Sequence, residues 1–363
     1  MQPLLSNQLF SNPLLLVVLA CALDRLMGDP RWCPHPVVVM GWWITVLRRG
    51  AEAWAGNRAW KLRLAGGLIT LVLVGCSVLA GWGMERLAPT PLLVVALASA
   101  LAGRSLEQAV GGVLKALPNS VQAVQKQTEQ NQIEQNQTDH SGDNPTQAAL
   151  QPARRALAWI VGRDTADLDA PEILRALAET ASENGVDGLF APLFWMLLGA
   201  GLWSLNPSWP GPLALAWGFK AASTLDSMLG YRRGRLRWLG TAGARLDDLL
   251  VWLPCRLVAV SLPLAAGQPG RSLGVLAAAR RDGAADPSPN AGLSQAAYAH
   301  VAGVQLGGSN SYGGQMHRKP LLAAGLPAPD QAAVLQMLQL NRRLELIWLT
   351  AAAAVAFITK TLS

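Results

Sequence analysis

The stretch Glu179-Thr-Ala-Ser-Glu183-Asn-Gly-Val-Asp187-Gly-Leu-Phe-Ala-Pro-Leu-Phe-Trp195 decides the fold class. It opens acidic and polar and ends as the mouth of an apolar run. Glu179, Glu183 and Asp187 are spaced i, i+4, i+8, so a continuous helix puts them on one face. Like charges at that spacing repel, and local structure gains nothing from them. One reading is a solvated helix face ahead of a hydrophobic segment. The other is a carboxylate cluster at a membrane surface that binds a cation, an amine or a metal-bound phosphate. The second is preferred, because carboxylates beside an apolar run are costly unless paired or used.

Working outward, 51% of the 363 residues are hydrophobic and 15% are charged. A soluble domain carries about 25% charged residues, so this is the composition of an integral membrane protein with water-facing parts. The net charge of +7 does not argue for nucleic acid. The basic residues stand in short clusters between apolar runs, which suits cytoplasmic loops and anionic lipid. The four cysteines, Cys21, Cys33, Cys76 and Cys255, fit neither a zinc motif nor a disulfide framework. Cys21, Cys76 and Cys255 lie in apolar surroundings and read as packing residues. No Lys or Arg precedes Cys21, so the first apolar run is expected to be a retained membrane segment rather than a signal peptide.

The expected fold is all-α, a polytopic integral membrane helical bundle with cytoplasmic loops and short amphipathic helices. Spans are expected at 13–28, 64–84, 87–103, 189–205, 213–229 and 344–359. Residues 41–63, with several Trp and with Arg48, Arg49, Arg58, Lys61 and Arg63, read as an amphipathic stretch on the cytoplasmic surface. The run 249–266, interrupted by Pro254 and Arg256, reads as interfacial or re-entrant, which leaves every Arg-rich loop on one side. Residues 118–152 are dominated by Gln and Asn, and such a segment buries too little apolar surface to fold. It reads as a disordered insertion between an N-terminal membrane region, 1–117, and a C-terminal one, 153–363, and its deletion should be tolerated. Asp169-Ala-Pro171-Glu172 has the form of a capping box opening a helix that runs to about Asn184, after which Gly185 and Gly188 loosen the chain.

Several polar groups stand where chemistry is plausible. Asp29, Arg31 and His35 sit in a proline-stiffened loop that is either a surface turn or the polar wall of a membrane-side pocket. Lys220, Ser223, Thr224 and Asp226 are embedded in an apolar run. Asp226 is read as facing a functional cavity, while Lys220 fits a cavity or a helix end in water equally well. Arg232, Arg233, Arg235 and Arg237 mark the cytoplasmic side and are suited to a phosphate. Arg245 and Asp248 are i, i+3, the spacing of a plain helical ion pair. The glycine-dense stretch 303–314, with Asn310 and Tyr312 interleaved, lets backbone N–H groups approach an anion, or is a flexible surface loop. It lacks the registers of a Walker loop and of a dinucleotide fingerprint.

Seven ordered motifs together resemble one family. They are Asp24-Arg-x-x-Gly-Asp29-Pro; Pro-His35-Pro; Val-Gly-Arg163-Asp164-Thr165; Ser182-Glu183-Asn184-x-Val-Asp187-Gly-x-x-Ala-Pro-Leu-Phe-Trp; Lys220-Ala-x-Ser223-Thr224-Leu-Asp226-Ser-Met-x-Gly-Tyr231; Ala-Arg245-Leu-Asp-Asp248; and Pro-Ser288-Pro-Asn290-Ala-Gly292. The chain is similar to the CobD/CbiB family of cobalamin biosynthesis, adenosylcobinamide-phosphate synthase, over nearly its whole length except 118–152. Gly185 stands where that family usually has a larger residue, and Asp286 where His or Asn is more usual.

The resemblance implies amide formation between the free propionate of adenosylcobyric acid and aminopropanol or its O-phosphate. ATP and Mg²⁺ are implied by that reaction, because a carboxylate needs activation before an amine can displace oxygen from it. The implied setting is a multi-pass protein of the inner (plasma) membrane with its active face in the cytoplasm, in contact with the lipid bilayer and with other cobalamin-biosynthesis proteins. The runs 189–205 and 213–229, joined by a short Pro-rich turn, should be antiparallel neighbours, which brings Glu183, Asp187 and Asp226 together at the cytoplasmic mouth of the bundle as the expected catalytic residues. Asp29, His35, Arg163, Asp164, Asn184, Lys220, Ser223, Thr224, Tyr231, Arg245, Asp248, Ser288, Asn290, Asn310 and Tyr312 are the expected substrate-binding residues, and no metal ligand is assigned. The alternatives are a membrane transporter or corrinoid-binding scaffold without catalysis, against which no inverted repeat is evident, and a membrane phosphotransferase using Asp247 and Asp248, whose usual aspartate spacing is missing.

Overall fold

Polar caps and prolines set where the helices begin. Asn12 accepts hydrogen bonds from the N–H groups of Leu14 and Leu15, and Pro13 stands at the first helical position, opening α1 (Pro13–Met27). His35 does the same for α2 (Pro36–Ala55), its Nδ1 accepting from Val37 N–H at 3.3 Å. The computed structural model describes residues 12–29, 35–118 and 148–362. Arg31 and Cys33, and 119–147 of the polar insertion, lie outside the described residues. At the end of that insertion Leu150 is buried, and Gln151 already starts a helix.

The chain continues through α3 (Ala59–Leu87), α4 (Thr90–Ala98), α5 (Gly103–Ala116), α6 (Gln151–Leu157) and α7 (Ala170–Gly185). A π turn, Val186–Phe190, leads into α8 (Ala191–Leu205). Then come α9 (Pro212–Leu229), α10 (Leu236–Leu239), α11 (Thr241–Ala265), α12 (Ser272–Asp282) and α13 (Ala291–Ala302). The antiparallel strands β1 (Leu306–Tyr312) and β2 (Gln315–Leu322) precede α14 (Gln331–Leu362). The protein is thus the expected helical membrane type, with one hairpin added.

Among the described residues, four helices are long and apolar enough to cross a membrane: Ala59–Leu87, Ala170–Leu205, Thr241–Ala265 and Gln331–Thr361. The pair Thr90–Ala98 and Gly103–Ala116, bent by 41°, makes a fifth if it is one broken span. Leu64, Leu68, Leu71 and Leu79 of α3 and Val355, Phe357 and Ile358 of α14 are half exposed or more, which lipid explains and water does not. Three expectations need correction. The run 249–266 is not re-entrant, because Pro254 and Arg256 sit inside one uninterrupted 25-residue helix. The segments 13–28 and 213–229 are not spans of that kind: α1 has only 15 residues, and α9 carries too many polar groups. Gly185 and Gly188 do not loosen the chain, which passes through them as helix and π turn.

The fold comprises two compact units, each drawing on both sides of the insertion. The first takes residues up to Arg104, Val186–Cys255 and Glu345–Ser363. The second takes Ser105–Gly185 and Arg256–Leu344.

In the first unit α3 packs along α9, and Ile44, Leu62, Ile69, Leu73, Leu225 and Leu229 are part of one buried cluster. The helices approach so closely that a Cβ on Gly81 would come within 2.7 Å of Ala214 Cα. Where α3 ends, buried Glu85 accepts from the N–H groups of Gly211 (2.9 Å), Leu213 (2.7 Å) and Ala214 (3.0 Å), the start of α9. These donors have no partner inside their own helix, and a carboxylate suits the positive end of its dipole. In the second unit the sequence-predicted capping box is present: Glu172 N–H donates to Asp169 Oδ1 at 2.8 Å and Asp169 N–H to Glu172 Oε2 at 3.1 Å. Near the end of α7, Gly185 lies flat against the Asn341 amide, and a Cβ there would stand 2.8 Å from its Nδ2.

Glu85→Ala should leave all three N–H donors at the α9 start without their acceptor at once. A hydrogen bond to a charged group contributes about 1.5–3 kcal/mol, so the variant should unfold in detergent well below the wild type, and Glu85→Gln should recover part of the loss. Equal thermal midpoints for all three proteins would contradict this.

Candidate functional site

In the first unit the polar groups gather around Lys220, in the middle of α9. The carboxylates within its electrostatic reach are Asp29, Asp187, Asp247 and Asp24. Asp247 interacts in turn with Asp226 and Asp248. The i, i+4 spacing of α9 therefore sets Lys220 and Thr224 on one face, as the sequence suggests, but Thr224 uses its hydroxyl on the Lys220 carbonyl at 2.6 Å. Ser227 likewise donates to the Ser223 carbonyl at 2.9 Å. These hydroxyls are spent on helix backbone. Two buried carboxylate oxygens, Asp24 Oδ1 and Asp247 Oδ1, have no hydrogen-bond partner among the described residues. At the loop, His35 Nε2 lies 3.3 Å from Asp29 Oδ1.

Beside the carboxylates is a basic pocket of about 250 Å³. Arg232, Arg237, Arg245, Thr241 and Asp248 line it, between the end of α9 and the start of α11. Arg245 and Asp248, expected to bind substrate, thus share one cavity. Tyr231 is exposed, with the Arg233 guanidinium 5.0 Å from its ring.

Among the described residues no group of three or more His, Cys, Asp or Glu is placed to hold a metal unaided. Mg²⁺ is commonly held by one or two carboxylates together with substrate phosphates. The orphaned Asp247 oxygen, close to Asp226 and Asp248 and on the same helix as Arg245, is a donor set of that kind.

The second unit has its own polar centre. Glu179 is almost fully buried and receives the Arg163 guanidinium and the Gly307 N–H at 3.0 Å. Arg163 also donates to Asn310 Oδ1 at 2.8 Å, so Arg163, Glu179 and Asn310 form one chain of contacts. Glu183 accepts from Gln295 Nε2 at 2.5 Å, and Asn184 is exposed. Glu179 and Glu183 do share this centre. The π turn after them widens the helix, so the i, i+4 rule ceases to mark one face before Asp187. Asp187 belongs to the first unit's group around Lys220.

Ser288 Oγ accepts from Ala291 N–H at 3.2 Å at the start of α13, and Asn290 Oδ1 accepts from Arg256 at 2.8 Å. Asp286, the residue unusual for the resemblance, pairs with Lys319 at 3.4 Å. Lys319 carries no motif and was missed in the sequence. Burial opposes its charge, but the Glu183 and Asp286 carboxylates outweigh this and hold the ammonium above the usual lysine range. Gln295 Oε1 and Asn310 Nδ2, both buried, have no hydrogen-bond partner among the described residues.

The glycine-dense stretch is a hairpin rather than a flexible loop. Gly313 and Gly314, at φ 59° and 77°, form its two-residue turn, a conformation glycine adopts without strain. A Gly-Gly pair between two strand-length segments was the available signal. Asp164 fastens the turn, accepting from Gly313 N–H (3.0 Å), Gly314 N–H (2.8 Å) and Ser311 Oγ (2.5 Å). Tyr312 stands exposed at its tip, edge-on to His317.

The family model described as CobD/Cbib protein matches residues 17–341. The chain belongs to the CobD/CbiB family. A cobalamin biosynthesis protein CobD of Synechocystis is 38% identical over 344 residues, 91% of this chain and 89% of the relative. One of Pelobacter propionicus is 39% identical over 332 residues, 89% of each chain. The cobalamin biosynthesis protein CbiB of Salmonella typhimurium is 34% identical over 349 residues, 94% of each. No solved structure matches the chain. The CobD/CbiB match settles the pathway, cobalamin biosynthesis, which the site geometry by itself does not name.

Asp164 supplies a pH test. The Gly314, Ser311 and Gly313 donors hold its carboxyl below the usual range. A depressed carboxylate stabilises above its unfolded value, near about 3.9, and the effect is lost as pH falls through the lower folded value. Protection of the Gly313 and Gly314 amides, taken relative to the intrinsic exchange rate at each pH, should therefore persist at pH 5 and be lost only on strong acidification. In Asp164→Ala that protection should be missing at every pH.

Proposed function

We propose that this CobD/CbiB protein is an ATP-dependent acid–amine ligase. It joins the free propionate of adenosylcobyric acid to aminopropanol or its O-phosphate, at the cytoplasmic face of the inner membrane. The observation that supports this beyond family membership is the pairing of a basic pocket with carboxylates in the first unit. Bound ATP with Mg²⁺ would supply the activation that a carboxylate needs before an amine can displace its oxygen.

The chain's own groups divide the remaining work. Arg232, Arg237 and Arg245 offer planar donors to phosphate oxygens. Asp226 and Asp247 would hold the divalent ion against those phosphates. Asp187 and Lys220 lie within reach of each other, so a carboxylate is at hand to take the proton that the substrate ammonium must lose before its free amine can attack the activated carbonyl. The second unit has a polar group of its own, Glu183 with Gln295 and Lys319, suited to binding an amino alcohol. The remaining motif residues, Asp29, His35, Arg163, Asp164, Asn290 and Asn310, act mainly by fixing loops and helix starts in this reading.

Purified protein incubated with the corrinoid acid, ATP–Mg²⁺ and each amine in turn should yield an amide detectable by mass, with ATP consumed. A transporter or scaffold would leave both substrates unchanged. Asp226→Asn and Glu183→Gln should each lower turnover by about 10²-fold or more with normal membrane insertion. Near-normal turnover in both would end the proposal that these carboxylates serve the reaction. Arg245→Gln should chiefly raise the KM for ATP.

A further inference from the structure

The second unit contains a cavity that none of the preceding chemistry uses. It measures about 580 Å³ and is lined by Arg271, Arg281, Asp282 and His300 with a wall that includes Ala324 and Leu326. A neighbouring cavity of about 360 Å³ shares Arg271 and His300. Both volumes suit a small ligand.

Its polar groups are arranged in a fixed order. His300, in the last turn of α13, directs Nε2 to Asp282 Oδ2 at 2.8 Å. Asp282, the last residue of α12, also accepts from Ala323 N–H at 3.1 Å. Burial alone would raise the Asp282 carboxyl, but the bonds from His300, Ala323 and Arg281 outweigh it and hold it below the usual range. An ionised Asp282 fixes the imidazole by its Nε2 and leaves Nδ1 as the outward nitrogen.

Ala323 is the one non-glycine residue at positive φ, 53°, among the described residues. Such backbone is unfavourable for a residue with a Cβ and persists where the surroundings over-determine it, as at active sites, ligand clamps and switch regions. Arg271 is held across the opening by Gln268 Oε1 at 2.6 Å and the His300 carbonyl at 3.4 Å. Two guanidiniums and an imidazole thus stand against one carboxylate that is already engaged.

We propose that this cavity is a binding site for a phosphate group, held by Arg271, Arg281 and the His300 imidazole that Asp282 orients. Planar guanidiniums match phosphate oxygens in pairs, and the outward Nδ1 adds a third donor when the imidazole carries both protons, a form that the Asp282 carboxylate on Nε2 and a phosphate on Nδ1 both favour. The phosphate is carried by a small soluble molecule or by a lipid headgroup, and the chemistry of recognition is the same for both.

The test uses the full chain in phosphatidylcholine nanodiscs. One arm titrates inorganic phosphate by calorimetry. The other replaces a fraction of the lipid by phosphatidic acid and reads ³¹P broadening. Saturable binding in either arm, weakened tenfold or more by Arg271→Gln with Arg281→Gln and by His300→Gln, is the expected result, and the responding arm names the source. Arg271 and Arg281 are exposed, so their exchange leaves folding intact. Ala324→Trp, also at an exposed position, should abolish binding by filling the cavity without touching any charge. Absence of binding in both arms, or binding unchanged in these variants, overturns the proposal.

Discussion

An ionised group removed from water must be met by an opposite charge or by backbone dipoles, and Glu179 shows how that requirement shapes a fold. Its carboxylate is nearly inaccessible and serves Arg163, the Gly307 amide and, at 3.8 Å, Arg175. Those partners come from the turn before α7, from β1 and from α7 itself. Loss of one partner of such a buried pair costs about 3–5 kcal/mol, most of it the stranded charge. The hairpin therefore has a fixed seat although its outer strand is largely exposed. Glu85 obeys the same rule in the first unit, with three amides in place of a cation.

The class of fold was legible because composition and apolar run length report directly on burial in lipid. The Asp169–Glu172 capping box was legible because it is local. What could not be read was anything set by distant partners. Glu179 looked like one of three equivalent carboxylates, yet it is a structural counter-ion. Lys319 owes its importance to Glu183 and Asp286, which are far away in the chain. The continuity of the helix through 249–265 was not legible, because Pro254 and Arg256 stand out as interruptions in an apolar segment. Packing overrides a propensity penalty of a few kcal/mol, and Arg256 finds Asn290.

The candidate site illustrates the same limit. Sequence spacing singles out Asp187, Lys220 and Asp226, and the structure adds Asp247, within electrostatic reach of both Lys220 and Asp226, which the sequence offers only with Asp248 as the pair of a phosphotransferase. Motif residues separate into two kinds. Arg163, Asp164, Ser288 and Asn290 satisfy backbone and side-chain partners. Asp24 and Asp247 retain oxygens that no described residue bonds. An unsatisfied buried acceptor is expensive to keep, so the second kind is the better guide to chemistry.

Gly185 has a consequence for how this sequence can change. Its missing side chain is filled by the Asn341 amide, which also donates to the Ala181 carbonyl at 3.1 Å and accepts from Tyr298. A larger residue at 185 would displace that amide and break both contacts. Positions 185 and 341 are therefore sterically coupled: on this backbone, bulk at 185 is compatible only with a differently seated group at 341.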